Sequence, residues 1–184
     1  MLFAALLRGF AFMAFKIPSA SMLPTLQIGD YVLVEPLQYG LRKPWGGWLM
    51  RWAAPRPGDV VVFANPRDPT QDFVKRVIAV GGERVEIRDK QVLVDGVPRD
   101  FAGAYFVEGR SNSQSNDVRD NFASVWVPPG QLFVLGDNRD QSVDSRFWGF
   151  VDANDVRGKA ATVYWSMDGD DGWVRWDRIG NRVR

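Results

Sequence analysis

The stretch "DFVKRVIAV", residues 72–80, decides how the rest of the chain is interpreted. It is rich in Val, Ile and Phe, which is typical of a β-strand buried in a sheet. Because successive side chains of a strand point to opposite faces, Lys75 shares one face with Phe73, Val77 and Ala79. The sequence therefore predicts a strand that holds a primary amine among apolar neighbours. The opposite face carries Val74, Arg76, Ile78 and Val80.

Segments of the same kind recur along the chain and are bounded by Gly, Pro, Asn and Asp. They are "DYVLVEP" (30–36), "GDVVVFANP" (58–66), "RVEIR" (84–88), "QVLVDG" (91–96), "SVWVPPGQLFVLGD" (124–137) and "KAATVYWS" (159–166). The piece "RVEIRDKQVLVDG" is typical of a β-hairpin that turns at Asp89-Lys90. We therefore predict an all-β fold of antiparallel sheets in a barrel-like arrangement.

The absent residue types restrict the possible chemistry. The chain of 184 residues contains no His and no Cys. A Ser-His-Asp relay, a thiol nucleophile, a disulfide and a zinc site built from His or Cys are therefore excluded. We predict no metal and no cofactor. The net charge of +1 gives no reason to expect a nucleic-acid partner. A serine nucleophile would need a base other than imidazole.

Candidate nucleophiles lie in "IPSASMLPTL", residues 17–26, where Ser19 and Ser21 are one residue apart. A lysine can serve as the base if its amine is neutral at working pH. A lysine in a hairpin turn, such as Lys90, is expected in water. Lys75 lies inside an apolar strand, where lost hydration lowers an amine pKa from ~10.4 towards the 7–8 that suits a general base. The alternative is a strand-edge lysine whose amine reaches water.

A third stretch, "LGDNRDQSVDSRFWGF" (135–150), is rich in Asp and also contains Ser and Arg. It fails the calcium-loop pattern, because the required oxygen ligands, Gly and Glu are missing from their positions. Its Asp and Asn side chains predict a rigid turn instead. Asp144 and Arg146, as same-face neighbours in an extended segment, would form an ion pair. Ser142 would then supply a hydroxyl that orients a nearby amine.

Two segments suggest contact with a membrane. "MLFAALLRGFAFMAFK" (1–16) is mostly apolar but shorter than the ~20 residues that span a bilayer, so it predicts either the end of a membrane anchor or a buried N-terminal helix. "LRKPWGGWLMRWAAPRP" (41–57) mixes Trp45, Trp48 and Trp52 with Arg and Lys, as is typical of the bilayer interface. The alternative is a loop whose tryptophans pack back onto the sheet.

Taken together, these stretches resemble the bacterial type I signal peptidases, which are membrane-bound Ser-Lys endopeptidases. "IPSASMLPTLQIGDYVLVE" resembles the nucleophile segment, "GDVVVF" and "DFVKRVIAV" the strands that lead to the lysine, and "GDNRDQSVDSRFWGF" the loop that follows. "AATVYWSMDG" and "RWDRIG" are similar to the family's C-terminal part. The resemblance covers most of residues 10–184 and is weakest in 83–130. One departure is "VGGER", where the family often has a Pro-Gly-Asp turn.

The resemblance implies a catalytic role for four residues. Ser21 would be the nucleophile, and Lys75 would be the general base. The Ser19 hydroxyl and the Ser21 backbone N–H would form the oxyanion hole. Ser142 would hold the Lys75 amine in place.

Further residues are implied in support and in substrate binding. Asp144 and Arg146 would brace the loop as a structural ion pair. Shallow apolar pockets would suit a substrate with Ala at the cut and two residues before it, bound as an extra extended strand. The residues that line these pockets would be Phe15, Ile17, Met22, Leu26, Val62 and Val74.

The resemblance also implies a division of the chain. Residues 1–15 would be the remnant of a membrane anchor. Residues 16–82 and 131–184 would form a catalytic β core of the signal-peptidase and repressor-protease type, and residues 83–130 a small β-hairpin and loop insertion. The enzyme would act on the signal peptides of exported preproteins at the bacterial cytoplasmic membrane, with its catalytic domain on the outer side.

Three alternatives share these sequence features. A specialised Ser-Lys peptidase that processes a single cognate conjugation or pilus protein would have identical chemistry. A self-cleaving repressor-type protease would carry a DNA-binding domain ahead of the serine, where this chain has an apolar segment. A non-catalytic membrane-associated β module would be expected to lack the nucleophile or the base, and both are present here.

Overall fold

The computed structural model describes residues 12–43, 47–107, 117–168 and 172–184. Their regular structure is almost entirely strands, with one short α-helix, α1 (Ser145–Trp148). The strands are β1 (Met13–Lys16), β2 (Asp30–Glu35), β3 (Gly40–Arg42), β4 (Trp48–Arg51), β5 (Val60–Asn65), β6 (Asp68–Val80), β7 (Arg84–Arg88), β8 (Gln91–Val94), β9 (Val97–Pro98), β10 (Phe122–Trp126), β11 (Gln131–Leu135), β12 (Val151–Asp152) and β13 (Val156–Ser166). The prediction of an all-β chain is confirmed.

The strands form three antiparallel sheets. The largest has seven strands in the order β1-β2-β13-β5-β6-β11-β12, the second has four in the order β10-β7-β8-β9, and β3 pairs with β4. Within the described residues the seven-stranded sheet runs from β1 to β12 without closing on itself. The fold is therefore antiparallel as predicted, but these strands form no closed barrel.

The strand β6 lies in the interior of the largest sheet, between β5 and β11. It contains the whole predicted segment 72–80, and residues 74–79 are all buried. Its register with β5 places Lys75 opposite Val61 and Val74 opposite Val62. Because residues 74–79 alternate between the two faces and are all buried, both faces of this part of β6 are covered, which explains why its sequence is apolar at nearly every position.

The core consists of three clusters of buried side chains, and β6 contributes to each of them. Val74 belongs to the first, Val77 to the second, and Ile78 and Ala79 to the third. The first cluster also holds the apolar side chains that flank the two serines. Its buried members are Ile17, Met22, Leu26, Val32, Val34, Val60, Val62, Val74, Ala160, Val163 and Val183.

The four-stranded sheet lies within the predicted insertion, residues 83–130. Its hairpin β7–β8 turns at Asp89-Lys90, as predicted. Both residues have positive φ, 50° and 63°, as a two-residue type I′ turn requires. The expectation that Lys90 lies in water is wrong, however. Its side chain is 6% exposed and pairs with Asp140, 2.8 Å away.

Two predicted element boundaries differ from the structure. The segment 124–137 is not one strand: β10 ends and β11 begins on either side of Pro128-Pro129, because proline lacks the N–H that a sheet ladder needs. At the other end, Met13–Lys16 pairs with β2, with Phe15 opposite Val32. The last residues of the predicted segment 1–15 therefore belong to an edge strand of the sheet.

The membrane-related predictions are only partly covered by the described residues. Residues 1–11 and Trp45 lie outside them. In the part of the chain that the structure describes, no helix has the length and apolarity to cross a bilayer. Trp48 packs against the second core cluster with Arg42 and Arg51 over its ring, whereas Trp52 is 57% exposed.

Candidate active site

Ser21 lies in the loop that joins β1 to β2. A single 3-10 turn at Ala20–Met22 carries it, and the Leu23 N–H closes this turn by donating to the Ala20 carbonyl at 3.1 Å. Met22 is buried in the first core cluster. Because Met22 is anchored in the core, the preceding residue is held at the edge of a cleft, which is the cavity described below. Ser21 is therefore only half-buried.

Lys75 meets Ser21 across this cleft. Its Nζ is 2.6 Å from the Ser21 Oγ, and the residue is only 5% exposed. Burial lowers the pKa of Lys75 to about 8, and the nearby charges of Asp144 and Asp137 oppose this shift without cancelling it. The structure thus brings together the two residues for which sequence predicts nucleophile and base, with the amine close to neutral at mildly alkaline pH.

Ser19 precedes the 3-10 turn in an extended conformation, with φ −136° and ψ 158°. Its Oγ lies 3.3 Å from the Ser21 Oγ. The two hydroxyls therefore stand side by side at the mouth of the cleft, and Ser19 is exposed.

The loop after β11 holds the backbone of the serine turn. Asn138 donates its backbone N–H to the Ser21 carbonyl at 3.1 Å and its side-chain amide to the Ala20 carbonyl at 3.2 Å. A Cβ on Gly136 would lie only 2.4 Å from the Ser21 carbonyl oxygen. The sequence motif "GDN" gave the only indication of these two residues, and sequence reasoning missed both.

Ser142 lies in the same loop and is fully buried. Its Oγ has no hydrogen-bond partner among the described residues, so the structure does not place it in a hydrogen bond with Lys75. A Cβ on Gly136 would meet the Ser142 Oγ at 2.3 Å, which locates this hydroxyl beside the Ser21 carbonyl. Its role in orienting the lysine stays a prediction.

Asp144 and Arg146 form the expected ion pair, but the expected extended conformation is wrong. Asp144 caps the N-terminus of α1 and accepts from the Arg146 backbone N–H, while the two side chains meet at 2.7 Å. The cap favours a helical turn because the carboxylate satisfies a backbone N–H that has no partner within the helix. The same carboxylate accepts from the Gly136 N–H at 3.1 Å.

A second buried ion pair was not anticipated from the sequence. Arg76 donates two hydrogen bonds to Asp137, at 2.7 and 2.6 Å, and Thr25 donates to the same carboxylate. The pair therefore connects β6 with the loop after β11 and, through Thr25, with the loop between β1 and β2 that carries Ser21. The carboxylates of Asp137 and Asp144 are thus each paired with a guanidinium group. No cluster suited to a metal ion is found in the described part of the chain.

A cavity of about 370 Å³ opens beside the two reactive groups. Four of the predicted pocket residues line it: Phe15, Ile17, Met22 and Val74. Leu26 and Val62 are buried in the first core cluster and are not among the residues that line this cavity, so their contact with substrate stays a prediction. Alternation indicates which side chains are apolar and inward, but it does not distinguish a cavity wall from the core behind it.

Polar residues also line this cavity, and sequence reasoning missed them. Gln71 and Asp72 come from β6, and Gln141 comes from the loop after β11, next to Val143. The cavity is therefore apolar around Met22 and polar at its rim, which suits a small apolar side chain attached to a polar peptide backbone.

The chain matches known proteins over most of its length. The family model "Signal peptidase, peptidase S26" matches residues 1–165. A probable signal peptidase I-1 of Synechocystis sp. is 35% identical over 97% of this chain and 81% of its own length. A signal peptidase I of Aquifex aeolicus is 34% identical over 87% of this chain and 78% of its own length.

Solved structures give a further match. A signal peptidase I from Enterococcus faecalis V583 is 34% identical, with a TM-score of 0.48, and covers 57% of this chain and 95% of that chain. The family match over residues 1–165 and the Synechocystis and Aquifex relatives agree with each other. The chain therefore belongs to the signal peptidase family of serine peptidases, peptidase S26.

Proposed function

We propose that this enzyme cleaves signal peptides from exported preproteins with Ser21 as its nucleophile and Lys75 as its general base. The observation that carries the proposal is the 2.6 Å separation between the Lys75 Nζ and the Ser21 Oγ, together with the burial that lowers the lysine pKa to about 8. A lysine in water keeps its proton at neutral pH and has no lone pair to accept another. A buried lysine with a lowered pKa is neutral in a larger fraction of the molecules, and at this distance its lone pair can accept the Ser21 proton.

The reaction runs in two steps. Neutral Lys75 accepts the Ser21 hydroxyl proton while the Oγ attacks the substrate carbonyl. The resulting ammonium returns the proton to the leaving amine as the peptide bond breaks and an acyl-enzyme remains. Lys75, neutral again, then takes a proton from water as the water oxygen attacks the ester. The Lys75 ammonium gives this proton to the Ser21 Oγ as the ester bond breaks, which releases the new carboxyl group and restores the serine.

The negative charge that develops on the carbonyl oxygen needs fixed donors. We assign this role to the Ser19 hydroxyl and the Ser21 backbone N–H, because Ser19 Oγ stands 3.3 Å from the nucleophile. Loss of one oxyanion donor typically reduces kcat by 10²–10³-fold. Ser142 would orient the lysine amine from the loop side, and the Asp144–Arg146 pair would brace that loop.

The cavity favours substrates with small side chains near the cut. Its apolar wall at Phe15, Ile17, Met22 and Val74 suits an Ala-x-Ala type of sequence, with the peptide lying in extended form along the site. We place the catalytic domain on the outer face of the bacterial cytoplasmic membrane. The N-terminal segment and the exposed ring of Trp52 would contact lipid there.

Cleavage of a detergent-solubilised preprotein by two variants tests the dyad. Ser21→Ala and Lys75→Ala should each reduce cleavage by at least ~10³-fold, because each removes a group that the first step requires. Lys43→Ala, which removes an amine outside the cavity, should cleave at the wild-type rate. Near-normal cleavage by either dyad variant contradicts the assignment. A panel of unrelated preproteins then measures whether the enzyme is general or dedicated to one substrate.

A further inference from the structure

Lys90 occupies an unusual position for a residue at a hairpin turn. Its backbone N–H donates to the Asp120 carbonyl at 2.8 Å, and its side chain turns inward rather than into water. The Nζ lies 2.8 Å from Asp140 Oδ1 and 3.5 Å from Asp120 Oδ1, and all three side chains are at most 15% exposed. The ring of Phe106 lies 5.8 Å from the same amine.

Asp140 belongs to the loop that supports the nucleophile. Two residues before it, Asn138 binds the carbonyls of Ala20 and Ser21. Directly after it, Gln141 lines the substrate cavity. The ion pair at Asp140 is therefore anchored between two residues that contact the site, Asn138 before it and Gln141 after it.

The insertion contacts this loop at a second point. The Tyr105 N–H donates to the Asp137 carbonyl at 2.7 Å, and the Arg139 N–H donates to the Tyr105 carbonyl at 2.8 Å. These bonds fix the start of the loop in the manner of a short parallel bridge, but they leave its later part, from Asp140 onward, to other contacts. Lys90 supplies a charged contact there.

We propose that Lys90 is a positioning residue for the peptidase reaction. By binding Asp140, it holds the loop that fixes the Ser21 carbonyl and forms the Gln141–Val143 wall of the cavity. The insertion, through the tip of its β7–β8 hairpin, is thereby part of what aligns the serine with the lysine. This inference rests on the proposed dyad of Ser21 and Lys75.

The test compares Lys90→Met with Arg88→Met in the full chain. Arg88 lies two residues away in the same hairpin, and its ion pair with Glu86 is exposed, so Arg88→Met should behave as wild type. Lys90→Met should lower kcat about tenfold or more, because small misplacements at a reaction centre reduce rates strongly. It should also shift the rising limb of the kcat/KM profile to higher pH, since a loosened loop admits water to the Lys75 amine.

The charges that face Lys75 are those of Asp144, Asp137 and Arg146, and none of these is altered by the substitution. Lys90→Arg keeps the charge and should restore most of the wild-type rate and profile. Asp140→Asn, which removes the other charge with little change in shape, should reproduce the Lys90→Met effects and serves if Lys90→Met does not fold.

Two results would overturn the proposal. One is a folded Lys90→Met or Asp140→Asn enzyme with wild-type kcat and pH profile. The other is a fall in Tm with kcat and pH profile unchanged, which is the mark of a purely structural ion pair. Lys75→Ala, assayed in parallel, separates the claims. Activity in Lys75→Ala overturns the dyad and this inference with it, whereas its inactivity beside a fully active Lys90→Met overturns only the role of Lys90.

Discussion

Two neighbouring cations on β6 show how side-chain surroundings decide the chemistry of the site. Lys75 and Arg76 point to opposite faces of one strand, and both are buried. Arg76 forms a two-bonded ion pair with Asp137, and a guanidinium stays protonated in proteins. Lys75 instead lies against the uncharged Ser21 hydroxyl, so burial favours its neutral amine over the ammonium. Arg76 thus forms a structural ion pair, whereas Lys75 is the base in the proposed mechanism.

Gly136 is the residue at which any side chain should damage the site. In Gly136→Ala the new Cβ would clash with the Ser21 carbonyl and the Ser142 hydroxyl. We expect a loss of about 3 kcal/mol in the free energy of unfolding and a fall in kcat of ~100-fold as the serine turn shifts. Denaturant unfolding and preprotein cleavage measure the two effects.

Gly130, at the other end of β11, provides the control for that substitution. A Cβ there meets open space, and only its φ of +77° opposes a side chain. Gly130→Ala should cost about 1–2 kcal/mol and leave cleavage intact. Equal activity in the two alanine variants would contradict the role given to the close packing at Gly136.

Ser142→Ala separates catalysis from stability. A buried hydroxyl without a partner carries a desolvation cost, so its removal should leave Tm unchanged or slightly raised. The rate should nevertheless fall by about tenfold, because hydrogen bonds that are absent in a free enzyme often form only with substrate bound. The effect should be milder than that of Ser21→Ala or Lys75→Ala. Full activity in Ser142→Ala would remove the proposed contact with the lysine.

At the scale of the element, the short helix α1 depends on the ion pair at its N-terminus. Arg146→Met would leave the Asp144 carboxylate buried without its cation, and such a loss typically costs about 3–5 kcal/mol. For a chain of this length we expect Tm to fall by roughly 10 °C, as calorimetry or circular dichroism would show. Arg88→Met, which breaks an exposed pair, should change Tm little. Similar Tm values for both variants would contradict this account.

Local elements followed from the sequence where short-range geometry determines them. The β7–β8 turn at Asp89-Lys90 is one case, because a two-residue connection between alternating strands permits few conformations. The helical turn at α1 was not predicted, since it depends on a cap that Asp144 supplies only while the same carboxylate also binds Gly136 and Arg146. The inward direction of Lys90 likewise depends on carboxylates 30 and 50 residues away in sequence.

At the scale of the whole molecule, the sequence predicted the all-β class and the pairing of Ser21 with Lys75, the latter through family resemblance. It did not predict the partition of apolar residues between cavity wall and core. Leu26 and Val62 have the same pattern as Ile17 and Val74, and only the packing of β5, β6 and the loop between β1 and β2 decides which of them line the cavity. Such contacts join distant segments, so no local pattern contains them.

The buried lysine should also affect the stability of the whole fold. Its pKa is about 8 in the folded chain, against 10.5 for an unperturbed lysine, so the unfolded chain binds more protons between these values and stability rises with pH there. Below pH 8 the folded state bears a cost of about 3 kcal/mol. Lys75→Met should therefore be the more stable protein at pH 7, and its advantage should shrink towards pH 10.5.

Thermal unfolding of both proteins at pH 7 and pH 10 measures that difference. The other ionisable groups are the same in the two proteins, so their contributions cancel in the comparison. A gap in Tm that stays constant with pH would show that burial does not perturb the Lys75 amine.

The pH dependence of kcat/KM tests the central claim most directly, because a chain without His or Cys has few other groups that titrate near neutrality. We expect cleavage by the wild-type enzyme to rise about tenfold per pH unit below pH 8 and to level off above it, as the Lys75 amine becomes neutral. Lys75→Ala should show no such rise. A wild-type profile that is flat between pH 6 and pH 9, or a rise that persists in Lys75→Ala, would contradict the assignment of Lys75 as the base.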